Sequence, residues 1–292
     1  MKSEFKNFVY VFIAASLWGT IGLFVKLMDS HGSTSAYTSF LRLLIGFFLL
    51  VAITLVKDGA RGFFVSRRTL ISCVLLGVVC QGIYNILYSM SVGRNGMALD
   101  SVLLYTSPVF TSVTAMLIFK ERLTRKKWVA LFVNIIGCVL TATGGNFSGS
   151  TIALSGLLIG VGAGFTYAMS AIFGRIATDD KDASPFAIAT YNFLFGSAFV
   201  ALTTHPWTTV AQPLDYHLLI IGALFALIPT ALSYIFYFKG LAGITQSSKV
   251  PVVASIELVI ATLLGVLIFS EQIGICNVIG IVCVLCSILL FS

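Results

Sequence analysis

Apolar residues form ten long stretches along this chain, separated by short polar segments. Each stretch has about 20 residues, which is the length that an α-helix needs to cross the hydrocarbon core of a bilayer. The pattern predicts ten membrane helices, over residues 8–28, 34–56, 69–92, 98–119, 127–144, 152–177, 184–204, 216–239, 247–269 and 274–291. The connecting segments are too short for a soluble domain, so we expect any ligand site to lie among the helices.

The second half of the chain repeats the first at a shift of 150 residues. The sequence LIFKE at 117–121 falls on LIFSE at 267–271, and Gly46 falls on Gly196. Because each half holds an odd number of predicted helices, the second half must enter the membrane from the opposite face. The expected fold class is all-α and integral to the membrane, with ten transmembrane helices as two inverted five-helix repeats.

Positive charges change sides between the two halves, as an inverted repeat requires. Loop 57–68 holds four Lys or Arg residues, whereas its equivalent, 205–215, holds none. We place the first repeat at residues 1–145 and the second, with inverted topology, at residues 152–292.

The distribution of positive charge predicts how these helices are oriented in the membrane. The chain is 58% hydrophobic and 10% charged, with a formal net charge of +7. Of its 18 Lys and Arg residues, fifteen fall on the side of the N-terminus, two (Lys26 and Arg94) on the other side, and Arg42 within a span. Positive residues accumulate on the cytoplasmic side, so we expect a multi-pass protein of the plasma (bacterial inner) membrane with both termini cytoplasmic. The net charge then reflects topology, and we expect no nucleic-acid partner.

Signals of catalysis are missing from the sequence. It contains no H-E-x-x-H motif, no P-loop and no G-x-S-x-G motif. The six cysteines lie within predicted spans, and the three histidines fall near outer loops without the spacing of metal ligands. We therefore expect no catalytic residue, no metal and no cofactor, and do not expect an enzyme.

Small residues and prolines mark places where the predicted helices pack closely or bend. Gly156, Gly160 and Gly164 form a stripe on one face of the sixth span, which predicts close packing within the bundle or, alternatively, a homodimer interface. We expect helices four, eight and nine to be weakened or kinked by prolines, at Pro108, Pro229 and Pro251.

Five short stretches carry a resemblance to a known family: RLL at 42–44, YTSPVF at 105–110, FKERLT at 119–124, IELV at 256–259 and FSE at 269–271. With them the chain resembles the EamA-type branch of the drug/metabolite transporter (DMT) superfamily along its whole length. The resemblance implies two five-helix repeats, a central cavity and transport of small metabolites, often amino acids or related compounds and frequently outward. Leu258 stands where this family usually has a proline, so a kink in span nine is expected from Pro251 instead.

Two charged residues lie deep within predicted spans. At 1.5 Å per residue, Glu257 is about 15 Å from the inner end of span nine and Arg42 about 12 Å from the outer end of span two. Charges at such depth usually have a partner or a function. The two residues could form a structural ion pair or line one cavity. Glu257 could also carry a coupling proton, because desolvation favours the neutral carboxyl group, or hold a cationic amine.

Span three carries a polar stripe in which residues three and four apart share one helix face. Its members are Gln81, Tyr84, Asn85 and Tyr88. This face should look into the bundle, where it lines the cavity or bonds to neighbouring helices. Further candidates near the middle of their spans are Trp18, Tyr105, Tyr167, Tyr191, Asn192 and Tyr234.

The pattern as a whole favours a secondary active transporter that works by alternating access, with a small-molecule substrate and proton or ion coupling. A passive facilitator or channel is the first alternative, and a membrane enzyme is a weaker one. The sequence leaves the substrate, the direction of transport, the coupling ion and the oligomeric state open.

Overall fold

The computed structural model describes residues 2–95, 97–145, 154–210, 215–270 and 272–291. Within these residues every regular element is a helix. In the described part of the chain, nine helices are long and apolar enough to cross a membrane, and a tenth apolar helix, Ile275–Leu290, is shorter. Each overlaps one of the spans predicted from the sequence. The all-α membrane architecture is therefore confirmed.

Five of the membrane helices are continuous, and we number them by their place in the chain. They are α2 (Ser35–Asp58), α5 (Arg125–Thr143), α6 (Leu154–Thr178), α7 (Pro185–Thr204) and α10 (Ile275–Phe291).

The other five helices are interrupted. They are α1 (Lys2–Trp18 and Ile21–Ser30), α3 (Arg67–Leu75, Leu76–Ile83 and Tyr84–Asn95), α4 (Met97–Leu104 and Ser107–Phe119), α8 (Tyr216–Phe225, Ala226–Leu232 and Ser233–Leu241) and α9 (Ser247–Lys249, Val250–Ala254 and Ile256–Phe269). Short 3₁₀ turns at Ala60–Phe63 and Pro206–Thr208 lie in the connections.

Helix pairing follows the two-fold relation expected of a repeat. Helix α1 packs along α8 and α6 packs along α3, while α2 meets α7, α4 meets α9 and α5 meets α10. Each helix of the first half corresponds to the helix five numbers later in the second half. Replacing every helix by its counterpart turns the pair α1–α8 into α6–α3 and leaves the pairs α2–α7, α4–α9 and α5–α10 unchanged. The two halves therefore meet through equivalent faces, which is the architecture of an inverted repeat.

The backbone irregularities repeat as well. The π-helical segments Leu76–Ile83 in α3 and Ala226–Leu232 in α8 begin 150 residues apart. The ends of α4 and α9 also correspond, because Lys120 and Ser270 both take left-handed conformations, with φ of 55° and 54°. Such π segments are rare and often occur at functional sites.

Three helix breaks lie at or near the prolines that predicted them. The second segment of α4 begins at Ser107, directly before Pro108, and Pro229 lies inside the π segment of α8. In α9 the helix is interrupted at Ser255, four residues after Pro251 and before Leu258. The kink therefore lies upstream of the family's usual proline position.

Candidate functional site

Glu257 is held by side chains from both halves of the bundle. The Tyr167 hydroxyl on α6 lies 3.3 and 3.4 Å from the two carboxylate oxygens of Glu257 and donates to them. Tyr105, at the break in α4, lies beside this carboxylate. Because α4 belongs to the first half and α6 to the second, the carboxylate joins the two repeats.

The break in α9 is fixed by a buried polar contact. The Asn134 amide on α5 donates to the Ser255 hydroxyl and to the Ser287 hydroxyl on α10, both at 2.8 Å. On the other side of α9, a Cβ added to Gly19 would lie 2.7 Å from the Glu257 carbonyl oxygen. Only glycine permits the break in α1 to approach the backbone of α9 so closely, and this approach places Glu257 among the helices.

The polar stripe on α3 makes hydrogen bonds to neighbouring helices. The Gln81 amide donates to the Tyr234 hydroxyl on α8 at 2.5 Å. The Asn85 amide donates to the Gln81 carbonyl, and its Oδ1 accepts from the Ser39 hydroxyl on α2 at 3.1 Å. Gln81 and Asn85 therefore connect α3 to both α8 and α2.

Aromatic rings surround these polar groups. The ring of Tyr84 lies 5.7 Å from that of Tyr88 and 5.5 Å from that of Tyr167. The ring of Tyr234 lies 5.2 Å from that of Trp18. Aromatic pairs at these separations have favourable contacts. Trp18, Tyr84, Tyr88, Tyr105, Tyr167 and Tyr234 thus share one central cluster with Glu257 and Gln81.

Arg42 reaches the same cluster from α2. It is only 9% exposed, and its guanidinium group lies 5.5 Å from the centre of the Phe225 ring. Tyr84 and Tyr234 each lie within electrostatic range of both Arg42 and Glu257. Among the residues that the structure describes, Arg42 forms no ion pair with Glu257. The two charges therefore act on the same two tyrosines.

Two predicted candidates lie apart from this cluster. Asn192 on α7 is fully buried, and neither its Oδ1 nor its Nδ2 has a hydrogen-bond partner within the described ranges. Tyr191 donates instead to the Phe63 carbonyl at 2.9 Å, in the connection between α2 and α3.

A small cavity beside Tyr167 has a volume of about 10 Å³ and is lined by Trp18, Tyr237 and Ala254, among others. This volume holds about one water molecule. A metabolite therefore requires the helices around this cavity to move apart.

A second set of contacts between the repeats involves Glu121, directly after α4. Its carboxylate lies 2.5 Å from the Arg175 guanidinium of α6 and accepts from the Ser247 backbone N–H at 2.7 Å. Its other oxygen accepts from the Ser248 hydroxyl at 2.7 Å. These residues form a polar latch, and we use that name for Glu121, Arg175, Ser247 and Ser248. The latch ties the end of α4 to the start of α9.

The latch and one buried acid were not assigned by sequence reasoning. An acid at the end of a span usually caps its helix or pairs locally, but Glu121 pairs with residues 54 and 126 positions away; Glu271, its counterpart in the second half, lies outside the described residues. Asp100 on α4, only 1% exposed, was missed, although a charge inside a predicted span is the same signal that marked Glu257.

The glycine stripe of α6 faces α4. A Cβ added to Gly160 would lie 2.4 Å from Leu103, and one added to Gly164 would lie 2.8 Å from the Leu103 carbonyl oxygen. This is packing inside the bundle. In the described part of the chain no group of three or more His, Cys, Asp and Glu residues is placed to hold a metal ion.

Comparisons with known proteins agree with this architecture. Residues 6–143 and 154–292 each match the EamA-like transporter family. A relative from Bacillus subtilis (strain 168), named "Uncharacterized transporter YwfM", is 25% identical over 286 residues, which cover 97% of this chain and 93% of the relative. A solved crystal structure with 16% sequence identity has a TM-score of 0.81 and covers 97% of this chain and 95% of its own, which shows a shared fold.

One further relative has a more specific name. A protein from Salmonella typhimurium (strain LT2), named "Probable amino-acid metabolite efflux pump", is 31% identical over 131 residues. The match covers 44% of this chain and 42% of that protein.

Proposed function

The chain belongs to the EamA-like transporter family, and we propose that it is a secondary active transporter that moves small metabolites across the plasma (bacterial inner) membrane by alternating access. The substrates in this proposal are amino acids or related compounds, and the direction is export. The match to part of an efflux pump from Salmonella typhimurium supports this substrate class.

One observation carries the proposal. Glu257 accepts a hydrogen bond from Tyr167 of the second repeat and lies beside Tyr105 of the first. A carboxylate whose partners lie on both repeats changes its surroundings whenever the repeats rock against each other. A group that senses such motion is suited to couple a proton, or a cationic amine of the substrate, to the change of access.

The interrupted helices supply the means of movement. Helices α4 and α9 break at Tyr105–Thr106 and Ser255, beside the central cluster, so each can bend there while its outer segments stay helical. The polar latch closes the bundle at the end of the molecule that we place in the cytoplasm. Opening this end requires Glu121 to leave Ser247, Ser248 and Arg175.

Purified protein in proteoliposomes provides the test. A thermal-shift screen against a metabolite panel identifies candidate substrates, and flux of labelled substrate is then measured with unlabelled substrate on the opposite side. A transporter gives saturable flux that is accelerated by counter-substrate. Unsaturable flux without counter-transport would instead identify a facilitator or channel, and conversion of the added metabolite would identify an enzyme.

A further inference from the structure

A second acidic side chain, Asp100, is buried in the outer part of α4. It is 1% exposed, and neither of its carboxylate oxygens accepts a hydrogen bond from any residue in the described ranges. The Ser91 hydroxyl lies beside the carboxylate. An ionised carboxylate in such a place has lost its water and has at most the Ser91 hydroxyl in exchange, which is strongly unfavourable.

The elements packed against this part of α4 supply no cation. They are α3, α5 and α6. Residues 131–166, which include the facing parts of α5 and α6, contain no Asp, Glu, Lys, Arg or His, and their one titratable group is Cys138. The titratable groups of α3 within range are Tyr84 and Tyr88, and the side chain of Arg94, in the same helix, is exposed. A bound proton is therefore the simplest way to neutralise Asp100.

Tyrosines connect this acid to the central cluster. Tyr88 and Tyr84 each lie within electrostatic range of both Asp100 and Glu257. The rings of Tyr88 and Tyr84 are 5.7 Å apart, those of Tyr84 and Tyr167 are 5.5 Å apart, and the Tyr167 hydroxyl lies 3.3 Å from Glu257. Asp100 and Glu257 thus both act on Tyr84 and Tyr88.

We propose that Asp100 is a second proton-binding carboxyl group, coupled to Glu257 through Tyr88, Tyr84 and Tyr167. This inference rests on the proposed function, because a second proton site on the outer side of Glu257 has a role only in a transporter. A proton bound at one carboxyl group then changes the proton affinity of the other.

Infrared spectroscopy tests the protonation directly, without any substrate. Purified protein in lipid is titrated with acid and base while the carbonyl stretch of protonated carboxyl groups is recorded. We expect a band that persists at neutral pH in the native protein and in Asp182→Asn, a control at an exposed acid, but is lost in Asp100→Asn. In Glu257→Gln the midpoint of this band should move by about one pH unit if the two acids interact.

A further variant tests whether the tyrosines connect Asp100 with Glu257. Tyr88→Phe keeps the ring and removes the hydroxyl, so the Asp100 band should remain while its response to Glu257→Gln becomes smaller. This variant also keeps the proposal testable if Asp100→Asn fails to fold.

The proposal is overturned if the native protein shows no band that depends on Asp100 at neutral pH. It is also overturned if sodium ions, but not choline, abolish the band, because Asp100 would then bind a metal cation. These results are independent of transport. Failure of flux in proteoliposomes with the Asp100 band intact would reject the transport proposal alone.

Discussion

Glu257 is the residue on which transport should depend most. Glu257→Gln keeps the shape of the side chain and removes its charge and its titrating proton. We expect the variant to fold, to lose accumulation of substrate against a gradient and to keep exchange of labelled for unlabelled substrate, because exchange needs no net proton movement. Both quantities are measured in the same proteoliposomes. Full accumulation that still depends on pH would remove Glu257 from the mechanism.

A double variant separates this role from a structural one. If Glu257 only neutralised Arg42, its removal would leave a buried charge and cost about 3–5 kcal/mol of stability. Glu257→Gln combined with Arg42→Gln would then recover much of the loss. Since the structure shows no ion pair between the two residues, we expect no recovery, as judged by thermal unfolding of the single and double variants.

The contact between Gln81 and Tyr234 gives a matched pair of variants. Gln81→Leu and Tyr234→Phe each remove one partner of the same hydrogen bond. We expect each to lower transport several-fold with a near-normal yield of folded protein, and the double variant to be no worse than either single one. Additive losses of transport would show that the two side chains act separately, and loss of folded protein in parallel with transport would assign this contact to packing.

At the residue scale, the sequence identified candidate residues by their chemistry but could not identify the residues they contact. Glu257, Gln81 and Tyr167 stood out as polar groups inside apolar runs, and the structure brings them together. The partners of Glu121 could not be predicted, because they lie far away in the chain and meet it only through helix packing.

Among the elements, α4 and α9 are joined by the polar latch, and breaking it should open one end of the bundle. Glu121→Ala removes an acceptor from Arg175, Ser247 and Ser248. Hydrogen bonds to charged groups contribute about 1.5–3 kcal/mol each, so we expect the open population to rise by about tenfold or more.

A cysteine at Val250 reports this opening, since Val250 is 1% exposed and lies just beyond the latch. In a background without the six native cysteines, its alkylation should be faster in Glu121→Ala and less affected in Glu121→Gln, which keeps an acceptor. Equal rates in all three proteins would mean that the latch does not hold this end closed.

Helix positions were predictable because membrane crossing demands long apolar runs, and the prolines located breaks in α4, α8 and α9. The π segment of α3 was not predictable, because its sequence, LGVVCQGI, contains no proline. It is accommodated by packing, since Gly77 and Gly82 lie directly against α7. The interruption in α3 therefore depends on a neighbouring helix that local sequence does not reveal.

For the whole molecule, the charge bias predicts both termini in the cytoplasm. Two single cysteines test this in the cysteine-free background. Asp182→Cys, between α6 and α7, and Thr208→Cys, between α7 and α8, are both exposed. We expect a membrane-impermeant maleimide added to intact cells to label Thr208→Cys alone, and labelling of Asp182→Cys to require opened cells. The reverse pattern would invert the topology.

The matching π segments bear on how this protein arose. They occupy the same place in both halves, although no aligned residue is identical between LGVVCQGI and the corresponding ALIPTAL. A shared irregularity with no shared sequence is what duplication of one five-helix ancestor that already had it would leave. Copies of such an ancestor would have had to insert in both directions to pair as the halves do now. A charge bias that gives each half a single direction would then follow fusion.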